Sequence, residues 1–190
     1  MKAIEEINGQ TARGAAIAGT AYLDLLLRRA LEKQMRPDVS LQDILFQNRG
    51  ALQDFSARIT VAFAFKIIGP GAYLDLCRLR DIRNAFAHSI EVFDFDRDDI
   101  SEICKNLWYP ANVHYIGRAT PKTARGLFIR AVEIIADAIM EAITSSPENM
   151  PAPKTYIQMG PAKTQPPSSP KKPKIRSSRD HQAPTRKTEK

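Results

Sequence analysis

The spacing of apolar residues is the feature that most constrains the fold of this chain. Apolar side chains recur every three or four residues in successive segments, which is the period of a helix with one face against a core. The clearest run comprises Leu52, Phe55, Ile59, Ala62, Phe63 and Ile67. Clusters of Gly, Pro, Asn and Asp at 36–38, 48–50 and 69–71 separate the segments. We therefore predict an all-α fold, a single helical bundle of about five to six helices.

Capping residues and periodicity set the expected helix bounds. The predicted helices span 11–35, 41–46, 51–68, 72–88, 100–107 and 120–144. Thr11 is the expected N-cap of the first helix, and Thr120 is the expected N-cap of the last. The segment 89–96 alternates like a strand but lacks an obvious partner strand, so we predict an extended loop there. We expect 108–120 to be irregular because it contains Pro, Asn and Gly.

Two of the predicted helices carry features that bear on packing. Small residues crowd positions 14–21 of the first helix, so a neighbouring helix should approach it closely. On the last helix, Glu133, Asp137 and Glu141 follow one another at helical spacing, and we expect a solvated acidic stripe.

The charge of the chain divides it into two parts. Residues 147–190 carry ten Lys or Arg and three Asp or Glu, whereas residues 1–146 carry eighteen of each sign. The formal excess of +7 therefore belongs to the C-terminal segment. That segment is rich in Pro, Lys, Ser and Thr and holds too few apolar residues to offset its ordering entropy. We predict a helical domain at 1–146 and a disordered basic tail at 147–190.

The tail contains a basic cluster that could contact nucleic acid. Its cationic residues are Lys171, Lys172, Lys174, Arg176 and Arg179. Basic arms of this kind bind phosphate backbones without sequence preference. A tail that only keeps the protein soluble explains the same composition.

Composition argues against several classes of protein. The N-terminus is polar and no apolar stretch is long enough to span a bilayer, so we predict a cytoplasmic protein with no membrane contact. Cys77 and Cys104 are expected to be reduced, buried thiols, because both fall on predicted helices of an apparently intracellular protein. No CxxC or paired Cys/His spacing supports a zinc site. The run of Asp94, Asp96 and Asp98 begins like a calcium loop but lacks its later Gly and Glu. We expect no metal and no cofactor.

The stretch 76–89 concentrates more polar chemistry than any other. Its apolar residues form one helix face, while Arg80, Asn84 and His88 form a second stripe with Arg83 beside it. An Arg for phosphate charge and a His for proton transfer would suit RNA cleavage through the 2′-hydroxyl. Arg83 and His88 lie about 140° apart around a helix, so they would meet only across the two-fold axis of a dimer. The alternative is a buried structural network in which Arg83 pairs with a carboxylate.

A helix-turn-helix that reads DNA is a weaker interpretation of the same region. Arg78, Arg80 and Arg83 would lie on its second helix. DNA reading normally uses the N-terminal part of that helix, which here is the apolar or acidic segment 72–75. We therefore do not expect a standard DNA-reading helix.

The sequence resembles the mannitol operon repressor family over about residues 11–145. The matching blocks are Arg13-Gly14-Ala15-Ala16-Ile17, Tyr22-Leu23-Asp24, 52–59, Ile82-Arg83-Asn84, Phe86-Ala87-His88-Ser89, Phe93-Asp94-Phe95-Asp96 and the segment 100–107 with Cys104. The resemblance implies a non-enzymatic helical regulator of transcription, a repressor or co-repressor. Such a regulator would act by binding another protein, a transcription factor or an operon regulator. On this hypothesis Arg83 and His88 are mostly buried and hydrogen-bonded.

A second resemblance leads to a different function. Arg83, Asn84 and His88 are similar to the Arg–polar–x3–His motif of HEPN-domain ribonucleases, which are helical and usually dimeric. The resemblance implies a metal-independent endoribonuclease or toxin component. Arg83 and His88 would be its catalytic pair and Asn84 their polar neighbour. On this hypothesis Arg83 and His88 line an open cleft at a homodimer interface.

Overall fold

Helices account for almost all of the regular structure in the computed structural model, which describes residues 2–47, 49–114, 119–145 and 157–158. Within those residues there are eight helices: α1 Lys2–Asn8, α2 Ala12–Gln34, α3 Val39–Phe46, α4 Phe55–Ala64, α5 Pro70–His88, α6 Asp98–Lys105, α7 Trp108–Asn112 and α8 Ala124–Thr144. Two short strands, β1 Val113–His114 and β2 Ile157–Gln158, pair antiparallel. The prediction of an all-α bundle is confirmed. Except for β2, the predicted tail lies outside the described residues.

The bundle is built around α2 and α8, which pack against each other more extensively than any other pair of helices. The small residues of α2 permit this contact, as the sequence predicted. Ala15, Ala16 and Gly19 are buried, and a Cβ built at Gly19 would lie 3.2 Å from Cε1 of Phe128 on α8. A second layer, formed by α4 and α5, packs onto α2.

Cationic side chains satisfy the carbonyl groups at two helix C-termini, where the last backbone acceptors have no partner within the helix. Arg125 Nη2 donates to the carbonyls of Asn8 and Gln10 beyond α1, at 2.9 and 2.6 Å. Lys33 Nζ donates to the carbonyls of Ile143 and Ser145 at the end of α8. These bonds join the ends of the bundle to helices that are distant in sequence.

Three predicted helix boundaries differ from the structure by more than two residues. The helix expected over 51–68 spans only Phe55–Ala64, because the chain leaves it through a left-handed residue, Lys66, at φ 59°. The last helix begins at Ala124, where Thr123 Oγ1 accepts from the amide of Gly126, so the N-cap is Thr123 rather than Thr120. Helices α1 and α7 were not predicted.

The prediction of a solvated acidic stripe on α8 was wrong, because Glu133 is buried and Asp137 and Glu141 are only half-exposed. Glu133 is buried, and its Oε2 lies 3.4 Å from Nε of Arg130, which is also buried. The loop over 89–96 contains no strand, as predicted. Cys77 and Cys104 are free thiols; Cys104 is buried as expected, but Cys77 is only half-buried. No helix among the described residues has the length and apolar character that crossing a bilayer requires.

Candidate functional site

A polar cleft of about 410 Å³ lies where α2, α4 and α5 meet. Helix α5 contributes Arg80, Arg83 and Asn84 to its wall. Opposite them are Asp24 of α2 and the segment 53–56 at the start of α4. The structure therefore places two of the three predicted site residues in one concave surface.

Arg58 braces the base of this cleft. The guanidinium is buried and forms a two-pronged ion pair with Asp24, with Nε–Oδ1 and Nη2–Oδ2 distances of 2.6 and 2.7 Å. Its third nitrogen donates to the carbonyl of Leu52 at 2.7 Å. All three nitrogens of this planar guanidinium donate hydrogen bonds, and the pair with Asp24 joins α4 to α2 in a fixed orientation. Arg58 and Asp24 belong to two of the blocks that carry the family resemblance, but no local pattern indicated that they pair.

Arg83 and His88 are exposed, so the prediction that both would be buried was wrong. The core face of α5 is filled by Leu79, Ile82 and Phe86, all at most 1 % exposed. Arg83 and His88 lie off that face and point towards solvent.

Within the predicted trio, only Arg83 and Asn84 touch. Arg83 Nη1 donates to Asn84 Oδ1 at 3.0 Å. His88 is the last residue of α5 and is not part of the cleft wall. The trio therefore does not form one catalytic group within a single chain, which agrees with the angular separation expected from the sequence.

The chemistry available in the cleft is that of charged and hydrogen-bonding groups. Its described wall includes neither a His nor a Cys that could act as a nucleophile or a proton carrier. Cys77, one turn before Arg80 on α5, is not activated, because burial raises the pKa of its thiol. The charged and hydrogen-bonding groups of the cleft, which include Asp24, Asp54 and Ser56, can bind a polar or charged surface.

Metal binding has no support in the described part of the chain. There, no group of three or more His, Cys, Asp or Glu side chains is placed to hold a metal ion. In the run of Asp94, Asp96 and Asp98, which begins like a calcium loop, Asp94 Oδ1 accepts from the amide of Phe95 at 2.6 Å. The neighbouring Asp99 instead forms a paired contact with Arg97, at 2.6 and 2.8 Å. The basic cluster Lys171, Lys172, Lys174, Arg176 and Arg179 lies outside the described residues, so its proposed contact with nucleic acid stays a prediction.

Asp75 is a buried polar residue whose role the sequence did not reveal. Its side chain is fully buried, and its two oxygens accept from the backbone amides of Trp108 and Tyr109 at 2.7 and 2.8 Å. Arg78 adds an ion pair at 3.3 Å. Burial raises the pKa of this carboxyl above its ordinary value of 3.8, against the lowering effect of the two amides. Asp75 of α5 thus caps the N-terminus of α7 by accepting its first two amides. An acidic residue on the core face of α5 was the one feature of the sequence that could have indicated this role.

Comparison with known proteins relates the fold to one solved structure. No family model and no curated protein matches the chain. A chain of the X-ray structure of the MtlR-HPr complex from Escherichia coli is similar, with a TM-score of 0.60 and 18 % sequence identity. The similarity covers 73 % of the present chain and 96 % of that chain. The helical domain therefore has an MtlR-like fold, and the resemblance to HEPN ribonucleases receives no support from these comparisons.

Proposed function

We propose that this protein is a non-enzymatic regulator of transcription of the mannitol operon repressor type, acting through contacts with another protein. The observation that carries the proposal is the MtlR-like fold, whose solved example is a complex with a protein partner, HPr. The open cleft, lined by charged and hydrogen-bonding side chains, agrees with a binding role. We further propose that the protein works in the cytoplasm, and that its partner is HPr-like or is an operon regulator.

Titration calorimetry of the full-length protein with Escherichia coli HPr tests this proposal. We expect saturable binding, because a regulator of this type must recognise a folded partner. Injection of HPr into buffer alone is the control and should give only dilution heat. An absence of saturable binding with folded HPr would refute the HPr-like partner.

We also propose that the basic tail adds contact with nucleic acid that is independent of sequence. A full-length variant with Lys171, Lys172, Lys174, Arg176 and Arg179 all changed to Gln tests this. Each lost phosphate contact should reduce the slope of log K against log salt by about 0.9 on duplex DNA. Equal affinity and equal slope for the variant and the wild type would show that the tail only solubilises the protein.

A ribonuclease is the second candidate, because Arg83 and His88 are exposed as that hypothesis requires. The assay is cleavage of single-stranded RNA in the presence of EDTA, with light scattering to determine whether the protein is a dimer. The regulator proposal predicts no cleavage above background. Cleavage that His88→Ala abolishes while the circular dichroism spectrum is unchanged would favour the ribonuclease.

A further inference from the structure

The segment between α5 and α6, together with the first turns of α6, is strongly acidic. Residues 91–102 carry one basic and six acidic side chains, so 1 − 6 gives a formal charge of −5. The rest of residues 1–146 carries 17 basic and 12 acidic side chains, so 17 − 12 gives +5. The attraction of this domain for a cationic ligand is therefore concentrated on one segment. All six acidic residues of that segment are exposed: Glu91, Asp94, Asp96, Asp98, Asp99 and Glu102.

Neighbouring cations cancel only part of this charge. Arg97 pairs with Asp99 at 2.6 and 2.8 Å. Arg13 donates to the carbonyl of Glu91 at 3.2 Å, and Lys105 lies in the last turn of α6. When Arg13 and Lys105 are counted with Arg97, 3 − 6 still gives a formal charge of −3. A cation from elsewhere can therefore find carboxylates here that nearby side chains do not neutralise.

Two apolar side chains lie within the same surface. Ile90 and Val92 are 99 % and 97 % exposed. Their backbone is held in place, because Arg13 donates to the carbonyls on either side of Ile90 and Phe93 stacks on a core ring at 4.5 Å. We call residues 90–102 the acidic surface. A ligand that matches it combines several cations with an aliphatic side chain.

The basic tail contains one stretch with this combination. In residues 170–176, three lysines and Arg176 surround Ile175, and the prolines at 170 and 173 favour an extended chain. We propose that residues 170–176 dock on the acidic surface of their own chain, with the cations against its carboxylates and Ile175 against Ile90 and Val92. The inference goes beyond the proposed function, and it stands whether or not the protein binds HPr.

The basic tail returns to the helical domain before it reaches this stretch. Strand β2, at 157–158, pairs with β1, which directly follows α7. Helices α6 and α7 together rise about 20 Å, so Asp98 at the start of α6 lies within about 30 Å of β1. From Gln158 to Lys171 the chain has 171 − 158 = 13 steps, and 13 extended residues span about 43 Å. The basic stretch can therefore reach the acidic surface within one chain.

Attachment within the same chain favours the tail over separate ligands. A short flexible linker gives an effective concentration on the order of mM, whereas a second copy or another basic protein must compete from solution. Nucleic acid carries the wrong sign of charge for this surface. The tail of a second copy offers the same chemistry, so the experiment must separate contacts within one chain from contacts between chains.

Zero-length carbodiimide coupling of the full-length protein tests the contact, because the reagent joins an amine to a carboxylate only where the two groups touch. Mass spectrometry of the digested protein should find Lys171, Lys172 or Lys174 linked to carboxylates of the acidic surface. Raising the ionic strength from about 0.01 M to about 1 M shortens the Debye length from about 30 Å to about 3 Å. The yield of these links should therefore fall at high salt.

Charge removal gives the sharper comparison. The variant Asp96→Asn/Asp98→Asn/Glu102→Gln leaves the other three carboxylates of the acidic surface as coupling sites. Links from the tail lysines to those three should fall about tenfold, because three exposed charge contacts are lost. Ile90→Ser/Val92→Ser should also lower the yield. Circular dichroism should show unchanged helix content in both variants.

The matched control removes three exposed acidic side chains elsewhere, in Glu5→Gln/Glu6→Gln/Asp43→Asn, and it should give the wild-type yield. Tail links found equally at Glu5, Glu6 and Asp43 in the wild type would refute the docking assignment, as would a complete absence of links from the tail to the domain. An unchanged yield for Ile90→Ser/Val92→Ser would overturn the role of the apolar pair. In a mixture of ¹⁴N- and ¹⁵N-labelled protein, links that join only separate chains would show that the tail docks on a second copy and would refute the contact within one chain.

Discussion

Replacing Asp75 with Asn should destabilise the domain by about 2 kcal/mol, although the two side chains have nearly the same shape. The carboxylate accepts from the amides of Trp108 and Tyr109, at 2.7 and 2.8 Å. An Asn has one acceptor oxygen, so its NH₂ group must face the other amide, and one buried donor is left without a partner. Such a donor costs about 1–3 kcal/mol. The variant also avoids burying a charge, which offsets part of the loss.

Urea unfolding followed by tryptophan fluorescence measures the change in unfolding free energy. The reporter is Trp108, the single Trp of the chain, whose amide donates to Asp75. The matched control is Asp81→Asn on the same helix, where the carboxylate side chain is 56 % exposed and pairs only with the adjacent Arg80. We expect the control to change the unfolding free energy by less than about 0.5 kcal/mol. A change below about 0.5 kcal/mol for Asp75→Asn as well would refute the capping role.

The remaining predictions concern pH, a helix end, the ion pair and a tight contact. Burial raises the pKa of the Asp75 carboxyl in the folded state above 3.8, so the folded protein keeps this proton to a higher pH than the unfolded chain does. The unfolding free energy of the wild type relative to Asp75→Asn should therefore fall as pH rises from 3.8 to the raised pKa and then level off. An increase in that relative stability over the same pH range would contradict this. Lys66→Gly should stabilise by about 0.5–1 kcal/mol in thermal unfolding, because Lys66 occupies the left-handed region at φ 59°; a loss of stability would contradict this. Arg58→Met should lower the free energy of unfolding in urea by about 2–3 kcal/mol, because it leaves Asp24 without its ion-pair partner. The Asp24 side chain is 28 % exposed, so water compensates part of the loss. An unchanged free energy of unfolding would mean that the ion pair contributes nothing. Gly71→Ala should lower the melting temperature at a cost of about 1–2 kcal/mol, because the new Cβ would lie 2.5 Å from Cε3 of Trp108, and an unchanged melting temperature would show that the ring moves aside freely.

Local patterns in the sequence predicted the long helices, because capping residues and the spacing of apolar residues lie within those helices or directly beside them. Thr11 was expected to cap α2, and its Oγ1 accepts from the amide of Gly14 at 3.1 Å. The small residues of α2 correctly indicated a close helix contact. The apolar face of α5 was correctly assigned as well, because Leu79, Ile82 and Phe86 follow helical spacing without interruption.

The missed features depend on partners that are distant in the chain. Helix α7 starts at Trp108 because Asp75, 33 residues earlier, caps it. Helix α1 is short and polar apart from two buried residues, and Arg125 from α8 satisfies its C-terminal carbonyls. Glu133 looked solvated because its burial depends on how α8 is covered by its neighbours. Periodicity alone cannot show these contacts.

The candidate site shows the same limit. The sequence singled out Arg83, Asn84 and His88 by residue type, but their exposure depended on which face of α5 meets the core. The exposure of Ile90 and Val92 was not predicted either, since both look like ordinary members of an alternating apolar segment. Their exposure follows from Phe93 and Phe95 turning inwards onto Phe86, with centroid distances of 4.5 and 4.9 Å.

The most direct test of the central claim is calorimetric titration of the full-length wild-type protein with Escherichia coli HPr. The account predicts saturable binding by the wild type. No binding by the wild type, together with RNA cleavage that depends on His88, would contradict the account and identify the protein as an enzyme.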